Sequence, residues 1–289
     1  MIRFSKYIWL YILLSAIVLV PGLFALVRFG LRPSIDFTGG TLVEVRTTAS
    51  QDSVERAAHD AGFSTISIVP SGGDIYLLRL RDAQDAQVTD FSSYLASASA
   101  AVPEILRHET VGPVLGEELL VKAITAAVFA MAVILAYVAY AFRNIKFGVS
   151  AVVALLHDLL VVLGAFALLG HLWHVEVDTL FVTAVLTTMS FSVHDTIVVF
   201  DRMREHRKRE RDIPLAQLAD RALMETMNRS LINSLTILFM LLALLLVGGE
   251  TIRWFVAALF IGTISGTYSS PFVAMPMLLW LDRWEKRRH

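Results

Sequence analysis

Long apolar stretches recur along the chain, separated by short polar segments. Six of them reach the roughly 20 residues that an α-helix needs to cross a hydrocarbon core. They are approximately Tyr7–Val27, Ala123–Phe142, Val149–Gly170, Thr179–Phe200, Ser230–Gly249 and Trp254–Leu281. This pattern predicts a polytopic α-helical membrane protein with six transmembrane helices.

The segment between the first two apolar stretches has a different periodicity. Leu42, Glu44 and Arg46 alternate with Val43 and Val45, which is typical of a β-strand. Five more elements follow, namely helix Gln51–Ala61, strands Ser64–Val69 and Asp74–Leu80 around a turn at Pro70–Gly73, helix Ala86–Ala98 and strand Glu104–Thr110. The order strand, helix, strand, strand, helix, strand predicts a small α+β ferredoxin-like domain between transmembrane helices 1 and 2.

The distribution of lysine and arginine predicts which side each polar segment lies on. The loop His171–Asp178 has no basic residue. Basic residues instead precede the first apolar stretch, fill the turn after the second, crowd the segment after the fourth and occupy the tail: Arg3, Lys6, Arg143, Lys146, Arg202, Arg204, Arg207, Lys208, Arg209, Arg211, Arg221, Arg283, Lys286, Arg287 and Arg288. By the positive-inside rule both termini are cytoplasmic. Because topology accounts for the basic segment, we expect no nucleic-acid partner.

These assignments divide the chain into four parts. They are the cytoplasmic N-terminus with the first helix (1–29), a non-cytoplasmic, periplasmic domain (30–118), the remaining five helices with a basic cytoplasmic loop at 201–228 (119–282) and a cytoplasmic tail (283–289). The first apolar stretch is longer than the apolar region of a signal peptide and lacks a small-residue cleavage site. We therefore expect it to stay as a membrane anchor.

Composition agrees with a membrane protein and narrows its chemistry. Hydrophobic residues make up 56% of the chain and charged residues 18%, against about 25% charged residues in soluble domains. The chain has no cysteine, so it can form neither disulfides nor thiolate metal sites.

Two acidic residues stand inside apolar stretches. Asp158 lies within Val149–Gly170 and Asp195 lies within Thr179–Phe200. An ionised carboxylate at that depth costs several kcal/mol unless it is paired, hydrated or able to exchange a proton. These two carboxylates are therefore the first candidates for function.

Four motifs occur in order on this topology. They are DFTGG at Asp36–Gly40, VGPVLGEEL at Val111–Leu119, HDTIVVFDR at His194–Arg202 and GTISGTYSS at Gly262–Ser270. Together they make the chain resemble the SecF family, the smaller half of the SecD–SecF membrane complex of bacterial protein export, within the resistance-nodulation-division superfamily. The resemblance implies a non-enzymatic subunit that uses the proton-motive force to assist Sec-dependent preprotein translocation across the bacterial cytoplasmic (inner) membrane.

The resemblance also implies partners. SecD would complete a heterodimer, because the chain carries a single six-span half, and the pair would work beside the SecYEG channel on a translocating preprotein in the lipid bilayer. YajC and YidC are further candidate partners. Protons would be the coupling ion, with no cofactor and no metal.

Several residues receive roles from the resemblance. Asp195 would carry a proton, and Arg229 would work with it, although on position alone Arg229 is one more basic anchor. His157 and Asp158 either assist the proton pathway or hydrogen-bond between helices. His194 stands where the family commonly has asparagine, so it either passes a proton or replaces an amide as a hydrogen-bonding group.

Other motif residues are expected to serve packing or backbone geometry. Gly262, Gly266, Ser269 and Ser270 give the sixth span a small-residue face for helix packing or for an interface. Asn233 belongs to a polar strip on the fifth span. Asp36, Gly39 and Gly40 are expected to form a hinge turn that docks the ectodomain, with the glycines supplying backbone conformations that other residues adopt at a cost.

Three alternative functions were weighed against this one. The His157–Asp158 and His194–Asp195 pairs raise an intramembrane metalloprotease, but zinc ligands on a helix are three or four residues apart, whereas adjacent residues diverge by about 100°. A small-molecule efflux transporter half would need a large ectodomain with a drug-binding cleft and a second ectodomain in the same chain, and the sequence shows neither. A passive scaffold that stabilises SecD and the SecYEG channel remains open.

Overall fold

A computed structural model describes residues 7–70, 73–81, 83–99, 101–142, 144–210 and 213–287. The chain separates into two compact units, a membrane unit (Met1–Arg32 and Thr125–His289) and a sheet unit (Pro33–Ile124). The basic residues Arg3, Lys6, Arg143, Arg211 and Arg288, and Ser71-Gly72 of the predicted turn, lie outside the described residues.

The elements in chain order are α1 (Ile8–Phe29), α2 (Ile35–Thr38), β1 (Gly40–Arg46), α3 (Gln51–Asp60), β2 (Thr65–Pro70), β3 (Ile75–Leu80), α4 (Asp85–Ala98), β4 (Glu104–Val111), α5 (Pro113–Phe142), α6 (Ile145–Trp173), α7 (Thr179–Arg209), α8 (Leu215–Val247), α9 (Glu250–Ser269), a π-helical turn (Ser270–Ala274) and α10 (Met275–Lys286).

The predicted architecture of six transmembrane helices and one small α+β domain is confirmed. Six helical segments are long and apolar enough to cross a membrane, the last of them running through α9, the π-helical turn and α10. Several helices extend beyond the predicted apolar stretches, because hydropathy detects only the part of a helix that meets lipid. The second span, for example, belongs to a helix that begins at Pro113.

The segment 201–228, predicted as a loop, is largely helical. α7 continues to Arg209 and α8 begins at Leu215. Ion pairs join the two helical extensions, since Arg202 and His206 both contact the Glu225 carboxylate and Arg221 contacts Glu210 at 2.6 Å. Polar residues that end an apolar stretch therefore do not end the helix here.

Side-chain caps fix the ends of the central helices. Asn144 accepts a hydrogen bond from the Lys146 backbone N–H (3.0 Å) at the start of α6, and Asp178 accepts one from the Phe181 N–H (2.7 Å) at the start of α7. Such bonds satisfy backbone donors that have no partner within the helix. α6 extends to Trp173, so His171 is helical rather than in the predicted loop.

Three membrane spans are more buried than the others. Half of the most apolar part is buried in α6, in α7 and in the last span, against 11% in α1 and α8 and none in α5. Close backbone contact joins α1 to α6, where a Cβ added at Gly164 would lie 2.6 Å from the Gly22 Cα. Only glycine permits that approach.

The last membrane span changes its helical form at a proline. Pro271 has no N–H, and its ring conflicts with the preceding turn of an α-helix. The backbone adopts a π-helical turn over Ser270–Ala274 and then resumes as α10. One extra residue is thereby accommodated without ending the helix.

The sheet unit has the predicted ferredoxin-like topology. Its strands are antiparallel in the order β2-β3-β1-β4, with a bulge between Glu44 and Val45. Val43, Val45, Leu78, Leu80 and the α3 and α4 side chains Val54, Phe91 and Leu95 form its core.

The face of the sheet that lacks helices carries ion pairs. Arg46 contacts Glu104 at 2.7 Å and Arg107 contacts Glu109 at 2.7 Å. The hydrogen bond from Arg107 to Glu109 raises the pKa of the guanidinium, and the nearby charge of Glu44 adds to the effect. The Arg107 guanidinium on this face therefore stays protonated at any physiological pH.

The motif at Asp36–Gly40 forms a single helical turn followed by two glycines. Ser34 caps α2 by accepting a hydrogen bond from the Asp36 N–H at 3.2 Å. Gly39 and Gly40 have φ of 70° and 120°, in the region that favours glycine. A Cβ at Gly40 would lie 2.7 Å from the Leu80 carbonyl oxygen. Both the positive φ and the lack of space therefore favour glycine at this position, as expected.

Candidate functional site

Asp158 lies at the centre of the membrane unit, on α6, and is 1% exposed. Three serine hydroxyls donate hydrogen bonds to its carboxylate, each at 2.6 Å: Ser192 from α7, and Ser265 and Ser269 from α9. The carboxylate therefore connects three helices. We refer to Asp158, Ser192, Ser265 and Ser269 as the serine cluster.

His157 extends the serine cluster towards α9. Its Nδ1 lies 3.0 Å from Asp158 Oδ1, and its Nε2 lies 3.3 Å from the Tyr268 hydroxyl, with the two rings edge to face. With the proton on Nδ1, the imidazole donates to the carboxylate and accepts from the tyrosine. This tautomer satisfies both contacts at once.

Asp195 lies on α7, three residues after Ser192, and has a different environment. It is 9% exposed. Among the described residues, its hydrogen-bond partner is the Ser230 hydroxyl of α8, at 3.4 Å. Arg229 and His194, both exposed, are close enough to act on its charge. This carboxylate is buried but only weakly held.

A shallow pocket between α7, α8 and α9 borders Asp195. Its walls include Phe191, Ser192, His194, Asn233, Gly266 and Thr267. Asn233 and His194 are exposed. We call this the Asp195 pocket, and it gives the carboxylate an opening lined by groups that can hydrogen-bond to water.

The glycines of the sixth span allow α9 to approach α7. A Cβ at Gly262 would overlap the Thr188 side chain, and one at Gly266 would lie 3.3 Å from the Ser192 Cα. Next to this contact, Ser270 and Thr196 hydroxyls are 2.9 Å apart. The predicted small-residue face thus packs within this chain, against the helix that carries both Ser192 and Asp195.

Two models of known protein families match this chain. The family model described as protein export membrane protein SecD/SecF, C-terminal, matches residues 91–284, and the SecD/SecF GG motif model matches residues 24–51. The chain belongs to the SecD/SecF family.

Relatives in the SecD/SecF family match over nearly the whole chain. The protein translocase subunit SecF of Thermobaculum terrenum is 38% identical over 99% of this chain and 95% of its own length. The protein translocase subunit SecDF of Thermus thermophilus is 36% identical over 95% of this chain but only 37% of its own length. The crystal structure of the Thermus SecDF, a translocon-associated membrane protein, has a TM-score of 0.85 over 99% of this chain, at 32% identity. The chain spans 39% of that solved structure.

Within this SecD/SecF framework, the site residues predicted from the sequence fall into separate groups. His157, Asp158 and Ser269 belong to the serine cluster and its extension, whereas His194, Asp195 and Asn233 border the Asp195 pocket. Asp36, Gly39 and Gly40 belong to the sheet unit. In the part of the chain that the structure describes, no three His, Cys, Asp or Glu side chains group as a metal site would require.

Three residues of this region are not predicted by the sequence pattern, namely Ser192, Ser265 and Tyr268. Serine is common on packed membrane helices, so its presence alone carries little signal. Spacing offers a signal in retrospect, because Ser265 and Ser269 are four residues apart and therefore share one helix face. Which acid they face depends on the rotation of three helices, and that is visible only in the fold.

Proposed function

We propose that this chain is the SecF subunit of a SecD–SecF complex that uses the proton-motive force to assist Sec-dependent preprotein translocation. The relatives named as protein translocase subunits support the translocation role. The match covers only 37% of the length of the SecDF relative, and the remainder of that protein supports SecD as the partner. In this proposal the complex lies in the bacterial inner membrane beside SecYEG, with both termini cytoplasmic, and YajC and YidC are further partners.

The observation that carries the proposal is the environment of Asp195. Its carboxylate is buried beside an open pocket, and within the described residues it accepts a single hydrogen bond, a long one from Ser230. A weakly held carboxylate in a polar opening can bind and release a proton without breaking a network of strong hydrogen bonds. Protons are the only coupling species that the proposal needs, with no cofactor and no metal.

Arg229 supplies the charge that makes protonation mechanically useful. A guanidinium stays charged at any working pH, so it attracts Asp195 only while the carboxylate is ionised. Protonation removes this attraction between α7 and α8, and deprotonation restores it. Alternation between the two states would move these helices and, through a SecD partner, drive the ectodomain against a translocating preprotein.

The test is Asp195→Asn in the full chain, co-expressed with its SecD partner and assayed in inverted membrane vesicles. Asp201→Asn is the matched control, because Asp201 is an exposed acid six residues further along the same helix. Preprotein translocation is measured with and without a proton gradient, and co-purification reports assembly. We expect Asp195→Asn to assemble but to lose the stimulation by the gradient, and Asp201→Asn to keep it.

If the assembled Asp195→Asn complex keeps the stimulation, the carboxylate is structural and the proton pathway through this chain is refuted. The passive scaffold would then account for the chain, since it requires assembly but no titrating group.

A further inference from the structure

We propose that Asp158 is not a proton carrier but a positioning residue, which holds Ser192 and through it the turn of α7 that presents Asp195. The inference rests on the proposed function and assigns different tasks to the buried acids of α6 and α7, Asp158 and Asp195. Asp195 changes its protonation, and the serine cluster keeps it in place.

The first argument is the number of donors around Asp158. Oδ1 accepts from Ser265 and contacts His157 Nδ1, and Oδ2 accepts from Ser192 and Ser269. A carboxylate offers about four acceptor positions. All four are therefore used, and an arriving proton would have to displace a hydrogen bond from a serine or from the histidine.

The second argument is access. The Asp195 pocket is lined by Ser192, but Asp158 is not among its lining residues. Ser192 directs its hydroxyl inwards to Asp158, 2.6 Å away. A proton that reaches the pocket thus meets Asp195 first, and the serine separates it from the inner carboxylate.

The third argument is the path from Asp158 to Asp195. Ser192 precedes Asp195 by one turn on α7. Its Cα lies close to Gly266, where an added Cβ would be only 3.3 Å away. The Ser192 carbonyl also accepts the Thr196 hydroxyl at 3.2 Å. Since Ser265 and Ser269 fix Asp158 to α9, the cluster sets the position of this turn of α7 relative to α9.

The test compares Asp158→Asn and Ser192→Ala with the parent complex, using the full chain with SecD in vesicles. Gradient-stimulated translocation is measured over a series of bulk pH values. We expect both variants to keep a stimulation that depends on the gradient, reduced about threefold to tenfold, the scale of one or two interhelical hydrogen bonds in a membrane. Both should shift the pH midpoint in the same direction, and the double variant should add little to either one.

Infrared difference spectra of the purified complex provide a readout that does not depend on translocation. Acidification protonates many carboxylates, and we expect one component of the carboxylic acid band to persist in Asp158→Asn and in Ser192→Ala and to be missing in Asp195→Asn. A merely structural role for Asp158 would lower the yield of complex without moving the pH midpoint.

Three outcomes overturn the inference. The first is loss of all gradient stimulation in an assembled Asp158→Asn complex, and the second is loss of the same component of the acid band in that variant. The third is an unchanged pH midpoint in both Asp158→Asn and Ser192→Ala. If Asp158→Asn does not assemble, Ser192→Ala decides by the same midpoint and band criteria. Failure of the proposed function gives a different result, namely stimulation that persists in Asp195→Asn.

Discussion

The inner and the outer membrane helices of this chain differ in what they bury, and two of the three inner spans, α7 and the last one, are also less apolar than the outer helices. α6, α7 and the last span each bury half of their most apolar part, whereas α5 buries none of it. Most buried polar side chains of the membrane helices lie on the inner helices, whereas α1 and α8 bury Ser15, Asp220, Thr226 and Ser234. Those on the inner helices are Ser150, His157, Asp158, Thr188, Ser192, Asp195, Thr196, Thr263, Ser265, Ser269 and Ser270. In lipid there is no hydrophobic drive for one apolar helix to bury another. Polar contacts and small residues therefore distinguish the inside of this unit.

The largest expected difference between inner and outer helices is access from lipid. Because the chain has no cysteine, Phe129→Cys on α5 and Phe166→Cys on α6 can each be labelled singly. Phe129 is 70% exposed and Phe166 is 1% exposed. With the isolated chain and a lipid-soluble organomercurial, which binds protonated thiols as well as thiolates, we expect Phe166→Cys to react about a hundredfold more slowly, since it reacts only when the helices separate locally. Equal rates would contradict the buried position of α6.

The next largest effect is expected where α9 meets α7. Gly262→Ala places a methyl group against the Thr188 side chain, and we expect the free energy of unfolding to fall by about 1–3 kcal/mol. Gly249→Ala is the control, because a Cβ there meets nothing within 4 Å and should cost less than about 1 kcal/mol. Unfolding by SDS from mixed micelles measures both. Equal losses would mean that the loss at Gly262 does not come from contact with α7, since alanine by itself favours a helix interior over glycine.

A smaller effect is expected from a single donor of the serine cluster. Ser269→Ala removes one hydrogen bond to Asp158 and should lower the free energy of unfolding by about 0.6–1.7 kcal/mol. Ser190→Ala on the exposed face of α7 is the matched change and should be close to neutral. The same SDS titration compares them, and a neutral Ser269→Ala would remove the serine cluster from the account of stability.

The smallest effect is expected at the polar extensions of α7 and α8. Glu225→Gln weakens the contacts with Arg202 and His206, but ion pairs this close to solvent contribute little. We expect no resolvable change in the midpoint of thermal unfolding, at low or at high salt. If Glu225→Gln lowered the midpoint of thermal unfolding as much as Gly262→Ala does, charge would hold these extensions rather than the buried apolar side chains Leu218 and Leu223.

How far the sequence predicts this molecule depends on the kind of contact. The spans and the strands follow from local patterns, and so does the burial of Asp158 and Asp195, because an acid inside an apolar run is conspicuous. The partners of Asp158 come from three helices, and their meeting depends on helix rotation, which no local pattern records. The Gly22–Gly164 approach was also missed, since neither glycine belongs to a recognisable motif. The roles of Asp195 and Arg229 in proton transfer remain predictions.

The π-helical turn at Ser270–Ala274 divides the last span into two α-helical segments whose side chains are rotated relative to each other around the helix axis. An extra residue in one turn advances everything after it by about 100° around the axis. Before the turn, on α9, Ser265 and Ser269 face Asp158. After it, on α10, Met275, Leu278 and Leu279 are buried. A helical wheel drawn through the whole span would assign one of these groups to lipid. The inserted residue thus allows one helix to present a polar face to the inner carboxylate and an apolar face to the core beyond it.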